Sequence, residues 1–241
     1  ESIHTPYPAY WEGKNDIERE ELISLDRADE ILSKNKNDIA AVIFEPLIQG
    51  AGGMKVCRKE FLEKLLKKFR EAGVLIIFDE VMTGFGRTGK MFAADYLKTK
   101  PDIMCLAKSL TGGYIPLAAT VFSKMIHDEF FGDDIKKTFL HGHSFTANPI
   151  ACSAALTSIE LFEKEQTLKK VEKISIIHHE YVNKLKKINI SKPRVLGSIA
   201  AFEFNGMDQK YGSSENQKLK NIFLENGLLL RPLGNTIYLM P

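Results

Sequence analysis

The chain has 241 residues, of which 44% are hydrophobic and 27% charged, and its 33 Lys and Arg against 31 Asp and Glu give a formal net charge of +2. This length and apolar content allow one large domain plus a smaller one, and they exclude the disordered and collagen-like classes. The near balance of charge gives no electrostatic support for nucleic-acid or membrane partners, and we expect neither.

The cysteines give information about the compartment. Cys57, Cys105 and Cys152 are widely spaced and form no C-x-x-C pattern. An odd number of isolated cysteines disfavours a disulfide framework and predicts buried free thiols in a reducing environment. Apolar runs such as GVLIIF are too short to span a bilayer, and no signal peptide is recognisable in a sequence that begins at Glu1. We therefore expect a cytoplasmic location.

The first half of the chain has the pattern of an α/β sheet. A charged amphipathic stretch at 16–36 precedes three short runs rich in Val, Ile and Phe, at 40–46, 74–80 and 102–108. Such runs, bounded by turn-forming residues, are typical of buried strands. Residues 59–73 carry one apolar stripe and end in glycine, which predicts a helix. This order predicts a right-handed crossover and a mainly parallel sheet flanked by helices.

The second half contains further predicted elements. Residues 116–122 favour another strand, and residues 148–164 favour a mostly apolar helix with an asparagine cap and a proline in its first turn. A charged amphipathic helix is predicted at about 166–187. The segment 193–205 and the hairpin-like ending LLLRPLGNTIYLMP indicate a smaller α+β unit.

These elements predict two domains. Residues 1–190 are expected to form part of a large domain, and residues 191–241 are expected to start a small C-terminal domain.

Polar residues follow each of the three apolar runs. Glu45 follows the first run, Asp79 the second and Lys108 the third. In parallel sheets, ligands bind near the carboxyl ends of the strands, so these three side chains are expected to converge. A partly desolvated lysine can act as a nucleophile toward an aldehyde. A surface lysine and a capping or ion-paired aspartate are the alternative interpretations, and the spacing alone leaves them open.

Two motifs suggest nucleotide binding on first inspection. Residues 84–89, GFGRTG, fit the dinucleotide pattern G-x-G-x-x-G, and with the residues that follow they nearly fit the phosphate loop. Met91, however, stands where the phosphate loop needs a hydroxyl. The carboxylates of Asp79 and Glu80 would repel a pyrophosphate. A glycine-rich turn at the edge of the site is the favoured interpretation.

A metal site is also disfavoured. His141 and His143 form an H-x-H pair, but no Cys, Asp or Glu lies at ligand spacing in the same segment. We expect no metal there.

Longer segments carry a family resemblance. FEPLIQGAGGMKV, FDEVMTGFGRTGKMFA and PDIMCLAKSLTGGYIPLAAT resemble the class III (ornithine-type) pyridoxal-phosphate aminotransferases of fold type I. FLHGHSFTANPIACSAAL and LRPLGNTIYLMP resemble the branch of that family that acts in biotin biosynthesis. The likeness is dense over about residues 38–165 and looser over 193–241.

The resemblance implies roles for the residues around the cofactor ring. Lys108 would be the Schiff-base lysine and the proton shuttle. Asp79 would pair with the pyridinium nitrogen. Glu45 and Gln49 match positions that line the site near the ring.

The resemblance also implies contacts with the phosphate and the substrates. His143 and Ser144 match positions that contact the cofactor phosphate, usually across the interface of a homodimer, and Gly142 would lie beside the substrate. Arg231 matches the arginine that binds the acceptor carboxylate, a task suited to its planar guanidinium. The implied reaction aminates 8-amino-7-oxononanoate to 7,8-diaminononanoate. S-adenosylmethionine is the implied donor, and lysine is the donor of some relatives.

Part of the family pattern is missing from the sequence. The family's glycine–serine phosphate loop and the aromatic that stacks on the ring do not occur in residues 1–37, and the family's last helices would follow Pro241. The N-terminal and C-terminal parts of the family fold are therefore expected to be absent here. Two alternatives follow: another class III aminotransferase, acting on ω-amino acids or ornithine, and a truncated, non-catalytic remnant.

Overall fold

Helices alternate with short strands over most of the chain. The computed structural model describes residues 2–35, 38–185, 187–207, 210 and 212–241. Its helices are α1 (Ile17–Lys34), α2 (Lys59–Glu71), α3 (Lys124–Glu129), α4 (Pro149–Lys164), α5 (Thr167–Leu185) and α6 (Ser214–Glu225). Its strands are β1 (Ala41–Phe44), β2 (Ile48–Gln49), β3 (Lys55–Val56), β4 (Leu75–Asp79), β5 (Ile103–Leu106), β6 (Ala119–Phe122), β7 (Ile190–Leu196), β8 (Ile199–Phe204) and β9 (Thr236–Leu239).

The larger sheet has the strand order β1-β4-β5-β6. Strands β1, β4 and β5 are parallel, and β6 runs antiparallel to β5. The register pairs Phe44 with Phe78 and Asp79 with Cys105. The predicted mainly parallel sheet is therefore confirmed, and its three parallel strands end at one edge.

Helix α2 covers one face of this sheet with the predicted apolar stripe. Phe61, Leu65 and Phe69 are buried in the same core as Phe78 of β4. Burial of each large apolar side chain contributes about 1.5–3 kcal/mol. The helix ends before Gly73, whose φ of +74° is costly for residues with a Cβ. This packing holds β4 in place.

The other predicted helices occur with small changes at their ends. At the start of α4, the side chain of Asn148 accepts hydrogen bonds from the backbone N–H groups of Ile150 and Ala151, as expected for its predicted cap. Helix α5 ends at Leu185, and Lys186 in the predicted range lies outside the described residues. Glu1, Lys36 and Asn37, at or near the start of the chain, also lie outside them.

A second sheet of order β7-β8-β9 is antiparallel throughout. The turn between β7 and β8 contains Gly197, where an added Cβ would lie 2.3 Å from the carbonyl carbon of Thr88 and 2.4 Å from the carbonyl oxygen of Arg87. Only glycine permits this close approach. The contact packs the second sheet against the GFGRTG turn.

The C-terminal segment differs from the prediction in two ways. The hairpin-like ending contributes one strand, β9, to β8, after a tight turn in which Leu233 and Thr236 exchange backbone hydrogen bonds. Helix α6 lay outside the predicted elements, because its sequence is mostly polar. No helix in the described part of the chain is both long and apolar enough to cross a membrane.

The thiols are less buried than predicted. Cys57 is buried, whereas Cys105 and Cys152 are half-buried, and all three are free. Cys105 lies in β5, where it pairs with Asp79 of β4.

Candidate functional site

Residues at the carboxyl ends of the parallel strands line one cleft. Glu45 follows β1, Asp79 ends β4, and Lys108 lies two residues beyond β5. All three border a cleft of about 1050 Å³, and the segment before β9 contributes Arg231 to it. Four of the predicted site residues therefore lie together. Their individual roles stay predictions.

The adjacent carboxylates of Asp79 and Glu80 have different environments, because successive side chains of a strand point to opposite faces. Asp79 lies in the cleft, and its Oδ1 accepts a hydrogen bond from the N–H of Val81 at 3.0 Å. Glu80 is fully buried on the other side, where it accepts from the N–H groups of Ala93 and Ala94. Burial raises the pKa of Glu80 and these hydrogen bonds oppose the rise. Asp79 is thus the carboxylate available to a ligand.

Glu45 belongs to the same electrostatic environment as Asp79 and Lys108. Its Oε2 accepts a hydrogen bond from the N–H of Gly50 at 2.8 Å. Burial is the main cause that raises the pKa of Glu45; the carboxylate of Asp79 raises it further, whereas the N–H of Gly50 and the ammonium of Lys108 lower it. Glu45 therefore keeps its proton to a higher pH than an exposed glutamate does.

Lys108 begins a 3-10 turn, Lys108–Thr111, directly after the extended residue Ala107. Its φ is +47°, an uncommon conformation for a residue with a side chain. Such conformations cluster at functional sites. The expected partial desolvation is not observed: Lys108 is exposed, because the turn carries it beyond the strand end onto the open cleft.

Gln49 lies next to the lining of the cleft in the sequence, not in it. It is half-buried in β2, where it pairs with Lys55 of β3. A Cβ added at Gly52 would lie 3.2 Å from the Oε1 atom of Gln49. The segment 50–55, which directly follows Gln49, lines the cleft, and Gln49 itself does not.

The predicted phosphate and substrate contacts at Gly142, His143 and Ser144 lie apart from this cleft. All three residues are exposed, in a segment without regular secondary structure. His143 holds the local conformation: its N–H donates to the hydroxyl of Thr146, and its Nδ1 accepts from the N–H of Phe145. None of the three borders the cleft of the same chain. Their expected contact across a dimer interface stays a prediction.

The sequence interpretation missed a polar cluster on the cleft wall. Lys192 donates to Oε2 of Glu203 at 2.8 Å, and Nδ2 of Asn235 lies 3.2 Å from the same oxygen. All three residues border the cleft. Glu203 lies on the same face of β8 as Ile199 and Ala201, both buried. An acidic residue on the apolar face of a strand was the signal available in the sequence.

Arg194 joins the second sheet to the glycine-rich wall of the cleft. The residue is buried, and its guanidinium donates to three carbonyl oxygens, those of Gly53, Met54 and Lys192, each at 2.6 Å. Burial lowers the pKa of Arg194, whereas the carboxylate of Glu203 opposes that change. Because charge-assisted hydrogen bonds are about twice as strong as neutral ones, this side chain fixes the position of the wall.

The two motifs that the sequence disfavoured as nucleotide and metal sites are GFGRTG and the pair of His141 and His143. In the GFGRTG turn, the carbonyl oxygen of Arg87 accepts from the N–H of Ser198 at 2.9 Å, so the turn supports the second sheet. None of the residues 84–89 lines the cleft. His141 and His143 are exposed. Across the described ranges, no group of three His, Cys, Asp or Glu side chains has the geometry of a metal site.

Comparison with known proteins identifies the family. The model of the family "Aminotransferase class-III" matches residues 1–241. The chain belongs to the class-III aminotransferases. Its fold is that of the family, with the mainly parallel sheet and flanking helices of fold type I.

Curated class-III relatives are similar along almost the whole chain. The adenosylmethionine-8-amino-7-oxononanoate aminotransferase of Synechococcus elongatus is 41% identical over 237 residues, which cover 98% of this chain and 55% of the relative. The enzyme of the same name from Helicobacter pylori is 39% identical and covers 100% of this chain and 54% of the relative. The chain therefore spans about half the length of these curated relatives.

Solved class-III structures agree with this fold. The adenosylmethionine-8-amino-7-oxononanoate aminotransferase of Methanocaldococcus jannaschii superimposes with a TM-score of 0.83 at 36% identity, over 90% of this chain and 52% of that one. An amine transaminase from an uncultivated Pseudomonas species, solved in its PLP-bound form, gives a TM-score of 0.85 at 31% identity, over 93% of this chain and 52% of that one.

Proposed function

We propose that this chain is the cofactor-bearing part of a pyridoxal-phosphate aminotransferase, with Lys108 as the Schiff-base lysine and Asp79 as its electrostatic partner. The observation that supports this most is the shared cleft: Lys108 and Asp79 follow neighbouring parallel strands and border it together. Adjacent strands lie about 4.8 Å apart. The amine of Lys108 and the carboxylate of Asp79 can therefore reach opposite ends of one flat ring.

The residues present fit the ring end of the cofactor. Pyridoxal phosphate supplies an electron sink for the carbanion formed at the substrate. Asp79 would hold the pyridine nitrogen protonated, and its Oδ1 already has a fixed orientation from the N–H of Val81. Lys108 would anchor the aldehyde carbon and then carry the proton at the substrate carbon. Glu45 and Gln49 would complete the surroundings of the ring.

We assign the phosphate end to a second subunit. In a homodimer, His143 and Ser144 of one subunit would contact the phosphate held at the neighbouring site, with Gly142 beside the substrate. Their exposure, and their absence from the lining of the cleft of their own chain, support this arrangement. The large exposed side chains of Leu140 and Phe145 in the same segment also favour a protein contact.

The proposed reaction is the amination of 8-amino-7-oxononanoate to 7,8-diaminononanoate in biotin biosynthesis. Arg231 would bind the acceptor carboxylate, and S-adenosylmethionine would donate the amine. The names of the relatives at about 40% identity support both substrates. The proposal includes a cytoplasmic location and a division into a large domain, 1–190, and the start of a small domain, 191–241.

A second class-III activity is the alternative. The acetylornithine aminotransferase of Elizabethkingia anophelis superimposes with a TM-score of 0.79 at 34% identity. An enzyme of that kind would also need a carboxylate-binding arginine in the cleft, so Arg231 alone does not separate the two.

A substrate comparison separates these functions. The protein loaded with pyridoxal phosphate is offered 8-amino-7-oxononanoate, an ornithine-derived aldehyde and an ω-keto acid in turn, each with S-adenosylmethionine and with lysine as donor. Selective formation of 7,8-diaminononanoate supports the proposal. Preference for either other acceptor contradicts it in favour of the alternative. Absence of cofactor binding indicates a non-catalytic remnant.

A further inference from the structure

The pair of Lys192 and Glu203 is an unusual feature of the cleft wall. Lys192 has a φ of +49° and lies where the ladder between β7 and β8 is irregular, between Ser191 and Arg194. Bulges of this kind redirect side chains and occur often beside functional sites. Here the irregularity directs the ammonium of Lys192 to Glu203, at 2.8 Å, inside the cleft.

Glu203 differs from the other two carboxylates that border the cleft in the described part of the chain. Glu45 is held by the backbone N–H of Gly50, and Asp79 by that of Val81. Glu203 is 14% exposed at its side chain, and its closest partners are the side chains of Lys192 and Asn235, both on Oε2. The guanidinium of Arg194 lies further off, with Nη1 3.9 Å from Oε1, and stays on the carbonyl oxygens that hold it. Side-chain partners can move away without unfolding the backbone. The carboxylate of Glu203 can therefore exchange its partner.

Lys192 has a second position available to its ammonium. Its side chain is 39% exposed. Its Nζ lies 5.5 Å from the centre of the Trp11 ring, and the ammonium of Lys14 lies closer to the same ring, at 4.2 Å. Movement away from Glu203 would therefore carry the ammonium of Lys192 toward water.

We propose that Glu203 binds the distal positive charge of the amine donor and that this charge displaces Lys192. This inference rests on the proposed aminotransferase function. Two substrates of opposite character would use one cleft in turn: an acidic acceptor that pairs with Arg231 and an amino-acid donor with a second cation. A partly buried carboxylate needs a close cationic partner, and Arg194, at 3.9 Å from Oε1, is more distant than the ammonium of Lys192 at 2.8 Å from Oε2. Lys192 is the close cationic partner of Glu203 while no donor is bound. The sulfonium or ammonium of the donor takes its place during the donor half-reaction.

The test compares each charged donor with a neutral analogue that lacks the distal cation. Binding to the cofactor-loaded protein is measured for S-adenosylmethionine against S-adenosylhomocysteine, and for lysine against norleucine. We expect the charged member of a pair to bind about tenfold more tightly, as a partly desolvated charge contact allows. Glu203→Gln should bring that ratio close to one. Lys192→Met should raise it about threefold, because the competing ammonium is gone.

A matched control lies on the surface. Glu180 pairs with Lys184 at 2.6 Å on the exposed side of α5, and Glu180→Gln should keep the wild-type ratio. An unchanged ratio in both Glu203→Gln and Lys192→Met, with cofactor absorbance and acceptor amination intact, overturns the inference and leaves the proposed function standing. Loss of cofactor binding by the wild-type protein would instead refute the proposed function itself.

Discussion

Replacement of Glu80 by glutamine tests whether this buried carboxylate stabilises the fold, in contrast to the adjacent Asp79 in the cleft. Glu80 is completely buried, with Oε1 accepting from the N–H of Ala94 at 2.7 Å and Oε2 accepting from the N–H of Ala93 at 3.0 Å and from the hydroxyl of Thr83. A glutamine has one oxygen, so its amide nitrogen must face at least one of these backbone donors. The substitution conserves volume; it removes one acceptor oxygen and the negative charge, and it adds an amide donor.

The expected loss of stability follows from that count. A buried donor left without an acceptor costs about 1–3 kcal/mol. The remaining bonds to Glu80 also weaken, because they lose the assistance of the charge. Part of this loss of stability is offset, because burial disfavours the charged form of Glu80 and raises its pKa, and glutamine is neutral. We therefore expect Glu80→Gln to lower the free energy of unfolding by about 2–3 kcal/mol and the melting temperature by about 5–10 °C in a chain of this size.

Thermal unfolding followed by circular dichroism measures this difference. Glu180→Gln, which removes one partner of an exposed pair, is the matched control and should unfold with the wild-type protein. If Glu80→Gln also melts within about 1 °C of the wild-type protein, the backbone amides of Ala93 and Ala94 do not depend on this carboxylate and the structural assignment is wrong.

Three further outcomes follow from the cleft. Asp79→Asn keeps an acceptor oxygen for the N–H of Val81, so the free energy of unfolding should stay within about 0.5 kcal/mol of wild type. The transamination rate should fall by at least about 100-fold, because the ring nitrogen loses its anionic partner. Equal losses of stability and rate would contradict this. Arg231→Ala should raise KM for the acidic acceptor by about tenfold and leave KM for the donor unchanged in steady-state assays; a uniform change in both would contradict it. The pKa of folded Glu45 is raised above its ordinary value of 4.5, so its contribution to stability is present below that value and is lost as pH rises through the folded pKa. Glu45→Gln should flatten this part of the plot of unfolding free energy, measured with urea, against pH. An unchanged slope of that plot would exclude Glu45 as the source of the pH dependence.

Local sequence signals were enough to predict the larger sheet. Short apolar runs bounded by polar and turn-forming residues fixed β1, β4 and β5, and the single stripe of α2 fixed the crossover. From parallel strands it follows that Glu45, Asp79 and Lys108 meet at one edge. That inference needs no long-range contact, which is why it could be made from the sequence.

Other features depend on contacts that sequence periodicity does not contain. The pair of Lys192 and Glu203 forms across the β7–β8 hairpin at an irregular position, and a regular register would not have aligned them. The need for glycine at position 197 arises from the backbone at 87–89, more than a hundred residues earlier. The exposure of Lys108 is set by a turn with positive φ, a conformation that its residue type disfavours.

The central claim is that Lys108 is the residue that binds the cofactor aldehyde. Its most direct measurement is borohydride reduction of the protein after incubation with pyridoxal phosphate, followed by peptide mass mapping. The account predicts one pyridoxyl group, on Lys108, and loss of both the label and the cofactor's visible absorbance in Lys108→Ala. A label on Lys55 or Lys192, the other lysines that border the cleft among the described residues, or full absorbance in Lys108→Ala, would contradict it.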